Sequence, residues 1–316
     1  MANRVDTSAL RPRVDPHYDG PPAGAGDAPS VTERDVRAVA DARLAEFFSD
    51  GVRTGIRCDF KEHHDFALCG TDAVANPVLF AKEDGDVDAV DAKDVQQRNL
   101  GDCHMMAALA AMASTPEGRA AIQGMIRETT NDKGQVSYTV ILHKPEQHWL
   151  GLAQTTYTEV PVTVDGSFVQ GHAEAREAGG GSYEVWPLVM EKALATFYGG
   201  YAQINRGRSP GLALEVLTGK PVDSQRLGWF SSFGPSDLTA ALDAGKPVVL
   251  STRQNVDGLD SPNLIGGHAY AVTGVVSDHG RRVLTLQNPW NRAQPDPIPI
   301  EQLDRWFSHV QIGVAR

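Results

Sequence analysis

The sequence is poor in cysteine and has no long apolar run. Its 316 residues include only three cysteines, Cys58, Cys69 and Cys103. Three is too few, and an odd number, for a disulfide framework, so we expect at least one free thiol and either a reducing compartment or incidental thiols. The purely apolar runs are far shorter than the roughly 20 residues that a membrane-spanning helix needs. We therefore expect neither a disulfide scaffold nor a membrane span.

Positive charge is scarce as well. Lys and Arg number 29 against 40 Asp and Glu, which gives a formal net charge of -11 at pH 7. Nucleic-acid-binding proteins gain affinity by neutralising phosphates, so we expect no nucleic-acid partner. Residues 1–20 carry charges and prolines where a Sec-type signal peptide needs an apolar block. We expect a protein that is cytoplasmic, or secreted without a Sec-type signal.

The rest of the composition is that of an ordinary globular protein, with 41% hydrophobic and 22% charged residues. Residues 1–29 are rich in Pro, Gly, Ala and Asp without apolar periodicity, which predicts a disordered tail. Residues 30–93 are predicted to form an N-terminal helix and an extension of unknown role. Ser30 and Glu33 stand at capping-box spacing before the apolar face of that helix.

From about residue 94 the pattern of side chains predicts regular elements. Helix propensity is high over 103–122, and 183–201 has apolar residues at helical spacing, followed by two glycines. A short capped helix is predicted within 236–247. Alternating or β-branched residues predict strands over 135–142, 157–166, 248–252, 268–277 and 281–289. Helical patterns dominate to about Thr218 and strand patterns dominate after it.

Three residues could together carry nucleophilic chemistry. Cys103 opens a helix, where the helix N-terminus and a neighbouring imidazolium would stabilise a thiolate. His268 begins a predicted strand and could act as the base, and Asn288 ends another and could orient the imidazole. Taken singly, such residues are more often structural, because free cysteine is among the most buried residue types.

The joint pattern favours the catalytic interpretation. The segment QRNLGDCHMMAAL at 97–109 resembles the nucleophile motif of the calpain family of papain-like cysteine proteases. The segments GGHAYAVTGV at 266–275 and LQNPWN at 286–291 resemble that family's histidine and Asn-Pro-Trp motifs, in the family's order. The stretch 183–201 is similar to the family's helix ending in Glu-Lys-Ala and a Gly-Tyr pair. The similarity covers the chain from about Asp94 onwards.

The resemblance implies an α+β fold, the papain-like two-lobe cysteine protease core, over residues 94–316. A helical lobe at 94–220 would carry the nucleophile, and a β-rich lobe at 221–316 would carry its base. The active-site cleft would lie between the two lobes.

The resemblance also implies the role of each site residue. Cys103 becomes the nucleophile, His268 the general base and acid, and Asn288 the orienting residue. Gln97 matches the family's oxyanion-hole glutamine, and its side-chain amide would act with the backbone N–H of Cys103. The expected function is a cysteine endopeptidase that hydrolyses protein or peptide substrates through a thioester acyl-enzyme.

Two positions depart from the family pattern. His104 stands where the family has Trp, and Asn291 stands where Gly usually follows Asn-Pro-Trp. His104 could perturb the thiolate, reshape the cleft or have no effect.

No metal or cofactor is certain from the sequence. Calpains bind calcium within the protease core, but none of those ligands can be matched here, so calcium dependence stays open. The family's C-terminal calcium-binding domains are expected to be absent. The acidic run at 84–95 lacks the glycine and glutamate of an EF-hand and predicts a solvated loop. A further group fits no common zinc-site spacing: Cys58, His63, His64 and Cys69.

Other functions stay open at this point. The same thioester chemistry would serve a glutamine deamidase or a transamidase, and a non-catalytic protein-binding module could retain the same cleft. The N-terminal region could be an inhibitory propeptide, a partner-docking arm, or a delivery segment if the chain is a bacterial effector or toxin.

Overall fold

The structure is a computed structural model, and the residues it describes are 71–83, 85–98, 100–149, 153–169, 173–228, 231–256 and 262–314. The predictions for the tail at 1–29, for the helix after Ser30 and for the group of Cys58, His63, His64 and Cys69 lie outside the described residues.

Five helices occupy the first two thirds of the described chain. They are α1 (Cys103–Ala113), α2 (Pro116–Met125), α3 (Trp186–Phe197), α4 (Tyr201–Ile204) and α5 (Pro210–Thr218). Helix α1 is buried on almost every side, as expected for an alanine- and methionine-rich helix at the centre of a core. The helix predicted to open at Cys103 is therefore confirmed.

Local sequence fixes where these helices begin and end. Thr115 caps α2 by accepting a hydrogen bond from the Gly118 N–H at 3.1 Å, and Pro116 follows at the first position. The helix predicted over 183–201 is confirmed as α3. It stops before Gly199 and Gly200, whose φ angles of 89° and 128° cannot continue a helix.

Eight strands accompany these helices: β1 (Thr71–Ala73), β2 (Pro77–Val78), β3 (Ile126–Thr130), β4 (Val136–Trp149), β5 (Ala153–Asp165), β6 (Ser167–Val169), β7 (Arg176–Glu177) and β8 (Tyr183–Glu184). They form three sheets, with the strand orders β1-β6, β2-β8-β7 and β3-β4-β5. The last of these has the longest strands and is antiparallel. Strands β4 and β5 form a hairpin longer than the predicted strands at 135–142 and 157–166. The helices and these sheets correspond to the predicted helical lobe, with β1 and β2 lying before its predicted start at residue 94.

The remaining strands form one six-stranded sheet, whose order is β13-β12-β11-β10-β14-β9. Its members are β9 (Asp223–Arg226), β10 (Val248–Thr252), β11 (Ala269–Asp278), β12 (Arg281–Gln287), β13 (Ile298–Pro299) and β14 (Phe307–Ile312). The three strands predicted here are confirmed as β10, β11 and β12. Two helices, α6 (Pro235–Asp243) and α7 (Leu303–Trp306), complete the β-rich lobe.

Strand β11 connects the two lobes through its alternating side chains. Ala269 and Ala271 belong to the core around α1, whereas Tyr270 and Val272 belong to the core of the β-rich lobe. His268 precedes Ala269 and therefore lies where the sheet meets α1. The protein has the expected α+β, papain-like two-lobe architecture, while the lobe boundary at residue 220 stays a prediction.

None of the helices in the described ranges is both long enough and apolar enough to cross a membrane.

One buried ion cluster connects the segment before Gln97 to strand β7. The Arg176 guanidinium contacts Glu83 at 2.6 Å, Asp86 at 3.1 Å and Asp94 at 2.6 Å. The side chains of Asp86 and Asp94 are only 1% exposed. The interpretation of this acidic run as a solvated loop was therefore wrong for these two residues, because Arg176 supplies their counter-charge from a distant part of the sequence.

We expect Arg176→Met to lower the free energy of unfolding by about 3 kcal/mol, since it leaves two buried carboxylates without a cation. Urea unfolding would measure the change. Arg281→Met, at an exposed position of β12, is the matched control and should change stability little. Equal stabilities of the two variants would contradict a structural role for the cluster.

Candidate active site

Cys103 is the first residue of α1 and is partly buried. Burial raises the pKa of its thiol to about 11, and the neighbouring Asp102 charge adds to the rise. The backbone N–H groups of Ala269 and His104 act in the opposite direction but do not outweigh burial. The sulfur lies where α1 meets β11. Its raised pKa favours the neutral thiol at neutral pH.

His268 is held at the start of β11 by its backbone and its ring. Its backbone N–H donates to Thr252 Oγ1 at 2.9 Å, and its ring Nε2 lies 3.0 Å from Asn288 Oδ1. Asn288 Nδ2 donates to the Ala293 carbonyl at 3.2 Å, which fixes the orientation of the Asn288 amide. Because Asn288 Oδ1 is an acceptor, Nε2 carries the proton of the neutral imidazole, and Nδ1 is the acceptor nitrogen.

Two aromatic rings enclose the imidazole. The Trp290 ring centroid lies 4.7 Å from that of His268 at an interplanar angle of 47°, and the Tyr270 ring meets it edge-on at 5.0 Å. The Trp290 backbone N–H also donates to Asn288 Oδ1 at 3.1 Å. These rings exclude water from the hydrogen bond between His268 and Asn288.

Burial lowers the pKa of His268 to about 4, although the hydrogen bond to Asn288 opposes the shift. Both the imidazole and the Cys103 thiol are therefore neutral at neutral pH in this structure. Burial thus acts against the thiolate that the helix N-terminus and an imidazolium are expected to stabilise.

Gln97 connects the segment before Cys103 to the loop that carries Asn288 and Trp290. Its backbone N–H donates to the Pro289 carbonyl at 2.8 Å. Its side chain is buried, and Nε2 donates to the Leu100 carbonyl at 2.5 Å. The structure thus places Gln97 beside the other predicted site residues, with one of its two amide N–H groups used internally.

Two acidic residues near Cys103 were missed in the sequence. Asp102 and Glu191 are both buried, and burial raises the pKa of each carboxyl. Glu191 Oε2 accepts a hydrogen bond from the Ala173 N–H at 3.2 Å. The available signal was a glutamate within a helix, α3, whose side chains are mostly apolar, where an ionised side chain is unfavourable.

The two departures from the family pattern have structural explanations. His104 is 2% exposed, and burial lowers its pKa to about 3, so it is a neutral core residue and adds no positive charge beside Cys103. Asn291 has φ of 49°, a conformation that Asn tolerates better than most residues, and its Nδ2 donates to the Lys93 carbonyl at 2.9 Å.

Among the described residues, no group of three or more His, Cys, Asp or Glu is arranged to hold a metal ion. The oxygens of Glu83, Asp86 and Asp94 already surround the Arg176 guanidinium. As arranged, these three carboxylates do not fit a calcium ion, because their shared cation position is taken by Arg176.

Known proteins match most of the chain. A family model described as calpain family cysteine protease matches residues 75–306. Calpain-13 of Rattus norvegicus is 29% identical over 212 residues, covering 64% of this chain and 29% of the relative. The calpain-1 catalytic subunit of Mus musculus is 28% identical over 240 residues, covering 71% of this chain and 30% of the relative. The chain thus spans less than a third of the length of these relatives.

We expect alkylation of Cys103 by iodoacetamide to accelerate continuously between about pH 6 and about pH 10, because the thiolate is the reactive form and burial disfavours it. Peptide mapping by mass spectrometry would separate Cys103 from Cys58 and Cys69. A rate plateau between about pH 5 and about pH 8 would instead indicate a preformed thiolate–imidazolium pair.

We expect His104→Leu to stabilise the protein by about 1 kcal/mol, because neither ring nitrogen has a hydrogen-bond partner among the described residues. Thermal unfolding would measure the gain. His104→Gln, which keeps polar atoms in the same place, is the control and should bring no gain. A clear loss of stability in His104→Leu would mean that the ring nitrogens are bound.

Proposed function

The chain belongs to the calpain family of cysteine proteases, and from that premise we propose that it is a cysteine endopeptidase with Cys103, His268 and Asn288 as its catalytic triad. The observation that carries the proposal is the hydrogen bond of 3.0 Å between His268 Nε2 and Asn288 Oδ1. This bond uses Nε2, so the acceptor nitrogen Nδ1 faces away from Asn288. His268 lies at the end of β11 that packs against α1, the helix of Cys103.

The first step joins the thiol to the peptide carbonyl. His268 Nδ1 takes the proton of Cys103 while the sulfur forms a bond to the carbonyl carbon. The carbonyl oxygen becomes an oxyanion, and His268 becomes an imidazolium whose Nε2–H stays bonded to Asn288.

The second step breaks the peptide bond. The imidazolium donates the proton on Nδ1 to the leaving amine, the carbon–nitrogen bond breaks, and a thioester to Cys103 remains. Water then attacks the thioester while His268 takes a proton from it. The carbon–sulfur bond breaks, and the sulfur regains that proton.

The oxyanion requires donors that face the cleft. The backbone N–H of Cys103 and the side-chain amide of Gln97 are the proposed pair, and each would stabilise the transition state by about 3 kcal/mol. One Gln97 N–H is engaged with Leu100. The second N–H on the same nitrogen is the proposed oxyanion donor.

The protein substrate follows from the family and from the thioester chemistry. A polypeptide would enter between the helical lobe, which carries Cys103, and the β-rich lobe, which carries His268. Trp290 covers the His268 imidazole, which protonates the leaving amine. We therefore assign the side of the cleft at Trp290 to the amine half of the substrate, which leaves first.

We expect Cys103→Ala to abolish hydrolysis of an unfolded protein substrate while leaving the melting temperature nearly unchanged, because only the reacting sulfur is removed. Mass spectrometry of the products is the measurement, and new peptide termini are the signature of hydrolysis. Cys58→Ala and Cys69→Ala are the matched controls and should cleave normally.

Full activity in Cys103→Ala would overturn the proposal. Wild-type products that are deamidated or joined to an amine, yet uncut, would replace the peptidase with a glutamine deamidase or a transamidase.

A further inference from the structure

The side chain of Asn291 joins the loop of the Asn-Pro-Trp motif to the segment before Gln97. Asn291 Nδ2 donates to the Lys93 carbonyl at 2.9 Å, although 198 positions separate the two residues in the chain. Four residues after Lys93, the backbone N–H of Gln97 donates to the Pro289 carbonyl at 2.8 Å. Two hydrogen bonds therefore fix the loop against this segment, where a single bond would let it pivot.

Lys93 lies on a firmly held part of the chain. It is the middle residue of a short 3-10 helix, Ala92–Asp94, that packs into the core around α1. The Asp94 carboxyl accepts the indole N–H of Trp186, the first residue of α3, at 3.1 Å. The same carboxyl contacts the Arg176 guanidinium in the buried ion cluster. The Lys93 carbonyl is thus a fixed acceptor on the core that contains the nucleophile helix.

At the other end of the hydrogen bond, Asn291 belongs to the turn that carries Asn288. Its backbone N–H donates to the Asn288 carbonyl at 2.9 Å. Gln287, the last residue of β12, donates from Nε2 to Asn291 Oδ1 at 3.0 Å. Because Gln287 binds the oxygen of the Asn291 amide, the nitrogen is directed at the Lys93 carbonyl. The amide therefore has a partner at each end.

The backbone at position 291 favours asparagine or glycine. Its φ of 49° lies in the left-handed region, which Asn tolerates and Gly adopts freely. Glycine, the residue usual in the family at this place, would keep the turn but would supply no donor to Lys93. Asn291 therefore adds to the family pattern a hydrogen bond between the turn of Asn288 and the core of α1.

We propose that the hydrogen bond from Asn291 to Lys93 fixes the position of the His268 and Asn288 pair relative to Cys103. The imidazole and the thiol lie on different elements, and proton transfer between them requires close contact and correct orientation. Asn291 takes no part in the proposed steps and acts through the turn of Asn288, so it is a positioning residue. The inference rests on the proposed peptidase function, since it assumes that His268 takes the Cys103 proton.

Asn291→Asp is the decisive variant, because it keeps the size of the side chain and its tolerance of a positive φ. It replaces the Nδ2 donor with a carboxylate oxygen, which repels the Lys93 carbonyl. We expect kcat on an unfolded protein substrate to fall by about fivefold with KM within about twofold of the wild type, because the loss concerns proton transfer in the transition state. Quantification of new peptide termini by mass spectrometry would measure the rate.

Asn76→Asp is the matched control. Asn76 also has a positive φ, of 43°, and its Nδ2 donates to the Gly181 carbonyl at 3.2 Å. Asn76 and Asn291 are both exposed, but the Asn76 bond does not involve the turn of Asn288. The two variants lose a bond of the same kind, so their melting temperatures should agree within about 2 °C. The kcat of Asn76→Asp should stay within about 1.5-fold of the wild type.

A double-mutant cycle with Gln287 tests whether the Asn291 amide is the group that acts. Gln287→Met removes the donor that orients this amide and should lower kcat by about threefold. Asn291→Gly keeps the turn without an amide, so it should also lower kcat by about threefold, and it replaces Asn291→Asp if that variant does not fold. In the Asn291→Gly background, Gln287→Met should lower kcat by less than about 1.5-fold.

Three results would contradict the positioning role in a wild type that cleaves. They are an unimpaired Asn291→Asp, an Asn76→Asp variant as impaired as Asn291→Asp, and an effect of Gln287→Met that is the same with and without the Asn291 amide. Cleavage by Cys103→Ala, or a wild type that leaves the substrate uncut, would instead overturn the peptidase function itself.

Discussion

The packing of α1 against β11 is the contact on which the candidate site depends. Both surfaces are built from small side chains, with alanines along α1 and with Ala269 and Ala271 on the facing side of β11. Small side chains let a helix and a strand approach closely, and the Ala269 N–H reaches the Cys103 sulfur as a result. A larger residue at either alanine would separate the helix of Cys103 from the strand of His268.

The same close packing determines the protonation states. A thiolate and an imidazolium would each be stabilised by the other, but each also loses hydration where the two lobes meet. In this structure burial is the largest influence on each group by itself, and it raises the pKa of the thiol and lowers that of the imidazole. The hydrogen bond from His268 to Asn288 then has a further consequence, because it fixes which ring nitrogen can accept the thiol proton.

The sequence was informative where local patterns decide the structure. The start of α1, the strands β10 to β12 and the family motifs around Cys103, His268 and Asn288 depend on neighbouring residues, and the structure has those elements where the patterns predict them. The far halves of β4 and β5 were not predicted. Residues such as Lys144, Pro145 and Glu146 do not favour strands, so pairing along the hairpin determines their conformation.

Features that depend on distant residues could not be read from the sequence. Asp86 and Asp94 look like parts of a solvated acidic loop until Arg176 is placed between them. The hydrogen bond from the Ala173 N–H to Glu191 likewise requires the folded arrangement, since the two residues lie on different elements. An acidic residue in a sequence does not show whether it is buried, because the residue that neutralises it lies far away in the chain.

Helix geometry explains why the residue after Cys103 can differ from the family pattern. Successive residues of an α-helix are rotated by about 100°, so a helix that directs Cys103 to the cleft must direct His104 to another side. On α1 that side is the core, where His104 is neutral and lies near Arg208. The residue at position 104 must therefore fit the core and be uncharged there. A neutral histidine meets both conditions, so it is compatible with an intact nucleophile.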